Sequence, residues 1–163
     1  MTNKQIVERF YEAFSRGDFE TMNSCYADDI VFSDPVFGFL RGDEVRAMWK
    51  MLCTNAKDFM LTFDEITEID QEYLTCKWVA SYTFSGTGRK IVNRAKGFMR
   101  INDGLIVEHS DGFRLSTWLA QAFGVTGKLF GWTNFMKRKV QNRARKNLGI
   151  FMDEEEKLAG NSW

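Results

Sequence analysis

Apolar residues recur at helical spacing through the first fifty positions and at strand spacing through the next sixty. Ile6, Val7, Phe10, Tyr11 and Phe14 fall three and four apart with charges between them, so residues 4–16 predict an amphipathic helix. Gly17 closes that helix, and Asp18 can cap a second one whose stripe is Phe19, Met22 and Tyr26. Asp28-Asp29 breaks the pattern. Residues 30–34, IVFSD, read as a short strand, and Pro35 with Gly38 predicts a turn. Gly42-Asp43 opens a third helix with the stripe Val45, Met48, Trp49 and Leu52.

The period then changes to two. Phe59, Leu61 and Phe63 alternate with polar residues, and Leu74, Cys76, Trp78, Ala80, Tyr82 and Phe84 share one face of residues 73–84. Ser85-Gly86-Thr87-Gly88 is a hairpin loop leading into residues 90–101, which put Ile91, Asn93, Ala95, Gly97, Met99 and Ile101 on one face. Asn102-Asp103-Gly104 is a strong hairpin signal, with residues 105–114 as the partner strand. Alternation there groups Leu105, Val107, His109, Asp111 and Phe113. Residues 115–123 and 133–148 read as two C-terminal helices. Helices segregated from an antiparallel sheet predict an α+β fold, with the first helices covering the sheet's apolar face. The expected organisation is an α+β domain over 1–114, a helical extension over 115–152 packed on that domain or on a dimer partner, and a flexible acidic tail over 153–163.

Composition adds two points. Aromatic residues make up 15% of the 163, enough bulk for a large core or an aromatic-walled cavity. The net charge of zero hides a segregation. Residues 1–111 carry 13 basic and 18 acidic side chains, residues 112–152 carry eight basic and no acidic, and residues 153–163 carry one lysine and four acids. The basic helix suits an anionic surface, nucleic acid or membrane, or it is an amphipathic helix packed on its own domain or a second subunit with solvated charges. The acids that follow favour the packed alternative. Neither a membrane-spanning run nor an apolar leader is present, and three scattered cysteines suit a reducing compartment, so a cytoplasmic location is expected.

Two groups of residues could carry chemistry. Asp34 shares a strand face with Ile30 and Phe32, and a carboxylate on an apolar face has the raised pKa of a general base. The alternative is a turn Asp before Pro35, exposed at the strand end. His109, the only histidine, lies two residues from Asp111, and the two could form a proton-transferring pair or a structural hydrogen bond. Phosphate-loop, dinucleotide, zinc and nucleophile-elbow motifs are absent, so no metal or organic cofactor is expected.

The element order over residues 1–113 resembles the nuclear transport factor 2-like superfamily, which includes ketosteroid isomerase and the SnoaL-like polyketide cyclases. Tyr26-Ala-Asp-Asp-Ile-Val-Phe-Ser-Asp34-Pro35-Val-Phe-Gly38 is similar to the isomerase segment bearing the catalytic Asp. The resemblance implies a cone: a curved sheet around a cavity closed by helices, often dimeric through the outer sheet face. It places Asp34 at the general base, and His109, Asp111 and Phe113 on cavity-facing positions. The isomerase oxyanion-hole Tyr and Asp fall on Phe10 and Gly97, so steroid isomerisation itself is not implied. The resulting expectation is an enzyme without cofactor for isomerisation, cyclisation or dehydration of a small apolar ring compound. Asp34 is its base and His109, oriented by Asp111, its second acid-base group. Phe10, Phe14, Trp49, Phe63, Trp78, Tyr82, Met99 and Phe113 wall the expected pocket. A homodimer is expected, with no nucleic-acid or membrane partner. A non-catalytic module for an apolar ligand and an interaction domain using the basic helix are the alternatives.

Overall fold

The computed structural model describes residues 1–161. Helix α1 (Asn3–Ser15) begins at a capping box, in which Thr2 accepts from the Gln5 amide and the Gln5 side chain accepts from the Thr2 amide. Asp18 caps α2 (Phe19–Ser24) through the Thr21 amide. Strands β1 (Tyr26–Asp34) and β2 (Gly38–Arg41) flank a tight turn, and α3 (Asp43–Asn55) follows. The remaining strands are β3 (Met60–Glu68), β4 (Tyr73–Thr83), β5 (Lys90–Asn102) and β6 (Leu105–Gly112). They join β1 and β2 in one curved, unclosed six-stranded sheet of order β2-β1-β6-β5-β4-β3. Only the β1–β6 pairing is parallel. The fold is α+β, as the pattern predicts.

Helices α1 and α3 cover one sheet face. Phe10, Phe14, Trp49, Phe32, Trp78 and Met99 are buried there, in a core that gathers both helices and all six strands. Rings meet edge-on or tilted around Phe10, with Tyr26 at 5.3 Å, Trp49 at 5.9 Å and His109 at 5.3 Å between centroids.

Several boundaries differ from the sequence expectation. Tyr26 starts β1 instead of ending a helix, and Asp28-Asp29 are exposed residues where the β1–β6 register shifts, not a break. Gly38 opens a four-residue strand where only a turn is expected. A bulge in β6 pairs Ile106 with Ile101 and Glu108 with Arg100. The residue between them, Val107, is therefore extra, and the alternation flips. Ile106, not Leu105 or Val107, shares the buried face with His109 and Asp111.

The C-terminal segment forms α4 (Leu115–Phe123), a short α5 (Val125–Phe130) and a 27-residue α6 (Asn134–Gly160). Helix α4 packs a second cluster of Ile91, Trp118, Leu119 and Ala122 against β5. Helix α6 lies along α3, with Leu148 buried and Lys50 paired to Glu155. The acidic segment expected to be a flexible tail thus continues α6 through Gly160. Residues 162 and 163 of that expected tail lie outside the described residues.

Candidate functional site

Strand β6 carries a hydrogen-bonded chain whose direction is fixed at both ends. Trp49 Nε1 donates to the Tyr26 hydroxyl at 2.9 Å, and that hydroxyl is 2.7 Å from His109 Nδ1. On the other side His109 Nε2 is 3.0 Å from Asp111 Oδ1, which also accepts from Trp78 Nε1 at 3.2 Å. An indole N–H can only donate. Tyr26 therefore passes its proton toward Nδ1, and the imidazole with its proton on Nε2 donates to Asp111. All five groups are satisfied on a neutral ring. Burial pushes the Tyr26 phenol well above its ordinary range, and the charge of Asp111 adds to that, so it stays a donor.

This chain brings His109 and Asp111 together, but it seals the histidine. Its side chain has no accessible surface, whereas Asp111 keeps 5%. The His109 ring lies 5.1 Å from Phe32 and 6.2 Å from Trp49, edge-on to the first and stacked on the second. Of the two, only Asp111 reaches accessible space.

Asp34 is half-buried at the end of β1. The parallel register runs Phe32 with His109 and Ser33 with Ser110, which leaves Asp34 level with Asp111. Its Oδ1 accepts from the amides of Val36, at 2.9 Å, and Phe37, at 2.6 Å, closing a turn over Pro35. Burial pushes its carboxyl up to about 6. The Phe37 amide opposes this, and the charge of Asp111 reinforces it. Both sequence readings of Asp34 thus hold in part: it is a turn Asp, and it is also desolvated. Among the described residues no ion pair reaches it.

Helix α6 holds this turn from outside. Gln141 Nε2 donates to the Pro35 carbonyl at 2.9 Å, and Arg145 Nε donates to the Phe37 carbonyl at 2.7 Å. On the inner side Val36, Tyr82 and Phe113 are half-buried and touch both the main core and the α4 cluster. Asp34, next but one to Val36 and close enough for its charge to act on Tyr82, lies beside the seam between the two clusters. The Tyr82 hydroxyl accepts from Trp118 Nε1 at 2.7 Å. Burial raises the Tyr82 phenol, and the charge of Asp34 acts in the same direction.

The eight residues expected to wall a pocket divide in the structure. Phe10, Phe14, Trp49, Trp78 and Met99 fill the buried core, Tyr82 and Phe113 line the seam, and Phe63 is half-buried against the Tyr11 ring at 5.6 Å. Two concavities, of about 280 and 520 Å³, open elsewhere. Residues such as Ser33, Phe98 and Arg100 line the smaller, and Lys77, Arg94 and Lys96 the larger; neither is lined by Asp34 or Asp111.

Sequence reasoning missed Tyr26 and Tyr11. Tyr26 stands at the head of the isomerase-like segment, which is the signal that could have found it. The Tyr11 hydroxyl is buried without a partner and, with Asp111, faces Gly97. A Cβ at Gly97 would overlap that hydroxyl and sit 3.1 Å from Asp111 Oδ1. The position matching the isomerase Asp is thus occupied from across the core by Tyr11. Among the described residues no group of three His, Cys, Asp or Glu is placed to hold a metal, and no helix is long and apolar enough to cross a membrane. Burial pushes the thiols of Cys53 and Cys76 up to about 11 and 12, so neither is poised as a nucleophile.

A family model for the SnoaL-like domain matches residues 7–109. No curated protein is significantly similar to the chain. Among solved structures, an NTF2-like protein of unknown function from Burkholderia pseudomallei is 25% identical, with a TM-score of 0.66 over 76% of this chain and 100% of that one. An NTF2-like protein from Burkholderia thailandensis is also 25% identical, at 0.65 over 75% and 97%. A protein from Catenulispora acidiphila with a ketosteroid isomerase-like fold, in complex with trimethylamine, is 18% identical, at 0.64 over 75% and 94%. The family match stops at His109, before α4, so the helical extension lies outside it. The chain belongs to the SnoaL-like domain family, within the nuclear transport factor 2-like superfamily.

Proposed function

We propose that the chain is an enzyme without cofactor that moves a proton at carbon next to the carbonyl of a small apolar ring compound. The observation that carries this reading is the half-buried Asp34 carboxyl, without an ion pair among the described residues and beside Tyr82 at the apolar seam. Asp34 takes the proton from carbon as the C–H electron pair moves into the enolate, and returns it to a neighbouring carbon. Tyr82 polarises the carbonyl. Its phenol stays neutral, accepts from Trp118 and keeps its own proton to donate. His109 does not touch substrate in this scheme; it positions Asp111, which adds negative charge near Asp34 and keeps its carboxyl basic. Dehydration and cyclisation begin with the same proton removal and fit the same pair of groups. Two copies paired through the outer sheet face would cover Phe39 and Phe98, both exposed there.

Proton–deuterium exchange next to the carbonyl of cyclic ketones, followed by NMR, tests the mechanism. Wild-type exchange rises with pH through about 6, and Asp34→Asn lowers it by about 10²–10⁴-fold. Unchanged exchange in the folded variant would sink the mechanism. One observation favours a second reading, a binding module for the same ligand class: the Asp34 carboxylate already serves two backbone amides. In that case wild type exchanges nothing, and Asp34→Asn keeps its ligand affinity.

A further inference from the structure

The corner between α5 and α6 displays apolar side chains that no described residue covers. Val125, Leu129, Phe130, Trp132 and Phe135 are between 55% and 79% exposed, within eleven residues of sequence. They are held out by design of the backbone. Gly127 is buried with its Cα against the Leu119 carbonyl, closer than any Cβ allows, so α5 rests directly on α4 and turns its other side outward. Val125 and Leu129 follow at a spacing of four on that outer side, and Trp132 is exposed in the turn just after it. Trp132 Nε1 donates to the Leu129 carbonyl at 2.9 Å, and Thr133 both donates to the Phe130 carbonyl and caps α6 through the Met136 amide. The corner is therefore a shaped, hydrogen-bonded turn with its apolar groups pointing into water.

Cations rim it. Lys128, Arg138 and Lys139 are exposed beside these residues, and the Arg89 guanidinium lies against Gly124, next to Val125. No ion pair engages any of the four among the described residues. No acid occurs anywhere from 112 to 152. We propose that this corner is a docking surface for an anionic lipid bilayer, with the apolar side chains entering the headgroup boundary and the cations meeting lipid phosphates. Exposed Trp, Phe and Leu ringed by Lys and Arg match that boundary on both counts. A second copy matches poorly, because a symmetric pairing of this corner would bring cations against cations. Duplex nucleic acid would leave the aliphatic side chains in water.

The sequence expectation of no membrane partner rested on a packed basic helix and on the acids after it. Met136 and Val140 pack α6 on the α4 cluster and Leu148 packs it on the main core, but Phe135, Arg138 and Lys139 stay exposed, and Asp153 lies about 27 Å along the helix from Phe135. That is well beyond the screening length of ~8 Å at physiological salt, so those acids do not oppose docking.

Co-flotation of the full chain with vesicles tests the surface, independently of any catalytic activity. Wild type is expected to bind phosphatidylcholine vesicles containing phosphatidylglycerol, and to bind pure phosphatidylcholine and high-salt samples at least about tenfold more weakly. Leu129→Ser with Phe135→Ser, and separately Lys128→Glu with Lys139→Glu, should each lower binding by at least about tenfold without changing the thermal transition. No binding to the anionic vesicles overturns the proposal, as does binding that either pair of substitutions leaves intact. Sedimentation showing a wild-type dimer that the serine pair dissociates reassigns the corner to a second copy. Tighter binding to duplex DNA than to the vesicles reassigns it to nucleic acid.

Discussion

Asp34 and His109 lie on neighbouring strands at nearly the same level, yet the fold treats them in opposite ways. His109 is wholly buried, and each of its nitrogens has a partner that is itself partnered, out to two indoles. Asp34 is half-buried, and the groups that serve it are backbone amides of its own turn, steadied from outside by the C-terminal helix. Burial without a countercharge leaves its carboxyl pushed up to about 6. A saturated network specifies a core; a desolvated acid at a seam carries free energy that chemistry can use. Both the histidine and the Asp34 carboxylate are candidates in sequence; the structure closes the first into a satisfied network and leaves the second without an ion pair among the described residues.

Removing the imidazole is the harshest way to break this contrast. His109→Leu strips Asp111 of one of its two donors and leaves Tyr26 without an acceptor inside the core. The expected cost is about 3–5 kcal/mol in urea unfolding. A loss below about 1 kcal/mol would mean that the chain of hydrogen bonds does not hold the core together.

Gly97 probes the same region from the other side. Gly97→Ala drives a methyl into the Tyr11 hydroxyl and should cost about 2–3 kcal/mol. Tyr11→Phe removes a buried hydroxyl that has no partner, so alone it should be neutral or slightly stabilising, and combined with Gly97→Ala it should recover most of the loss. Simple addition of the two effects would show that the clash is with something else.

How far the sequence showed these features depends on the distance between partners. The two periods, the turn glycines and the Asp34 segment are local, so the fold class and Asp34 could be read from the chain. His109 and Asp111 were grouped correctly because they lie two apart beyond the bulge. Leu105 and Val107 were misplaced because a single extra residue reverses alternation and leaves no mark in the pattern. Tyr26 was hidden because Asp28-Asp29 look like a helix stop, and only the pairing of β1 with β6 turns Tyr26 toward His109. Tyr11 against Gly97, Trp78 on Asp111 and the grip of α6 on the Asp34 turn all join residues more than thirty positions apart. The acids of α6 read as a tail because composition does not register that Glu155 meets Lys50.

On the Asp34 side the expected effects are smaller and the first has the opposite sign. The folded carboxyl titrates near 6, above its ordinary value of 3.8, so between those values the folded state binds more protons than the unfolded one. The wild type should therefore lose stability as pH rises from about 4 through about 6. Asp34→Asn keeps an oxygen for the two amides without the charge, so it should flatten that slope and be about 1–2 kcal/mol more stable than wild type at pH 7. Thermal melts of both proteins across this range measure it. A variant that is less stable at pH 7 would show that the carboxylate is there to hold the turn, which removes the contrast with His109.

The finest test asks whether the extension tunes Asp34 or merely rests on it. Arg145 reaches the Phe37 carbonyl, and the amide of the same residue donates to Asp34, so the helix is linked to the carboxylate through one residue and its two flanking peptide units. Arg145→Ala should cost only about 1 kcal/mol of stability, the worth of a hydrogen bond to a charged donor at a partly exposed site. It should also loosen the Phe37 amide, whose donation opposes the rise caused by burial. The Asp34 carboxyl, followed by carbon NMR, should then titrate higher than in wild type. Arg145→Lys, which restores a cation but not the directed Nε–H, should leave both the stability loss and the titration shift in place. If the Asp34 titration is the same in all three proteins, α6 covers the turn without governing it, and whatever poises Asp34 lies within the SnoaL-like domain alone.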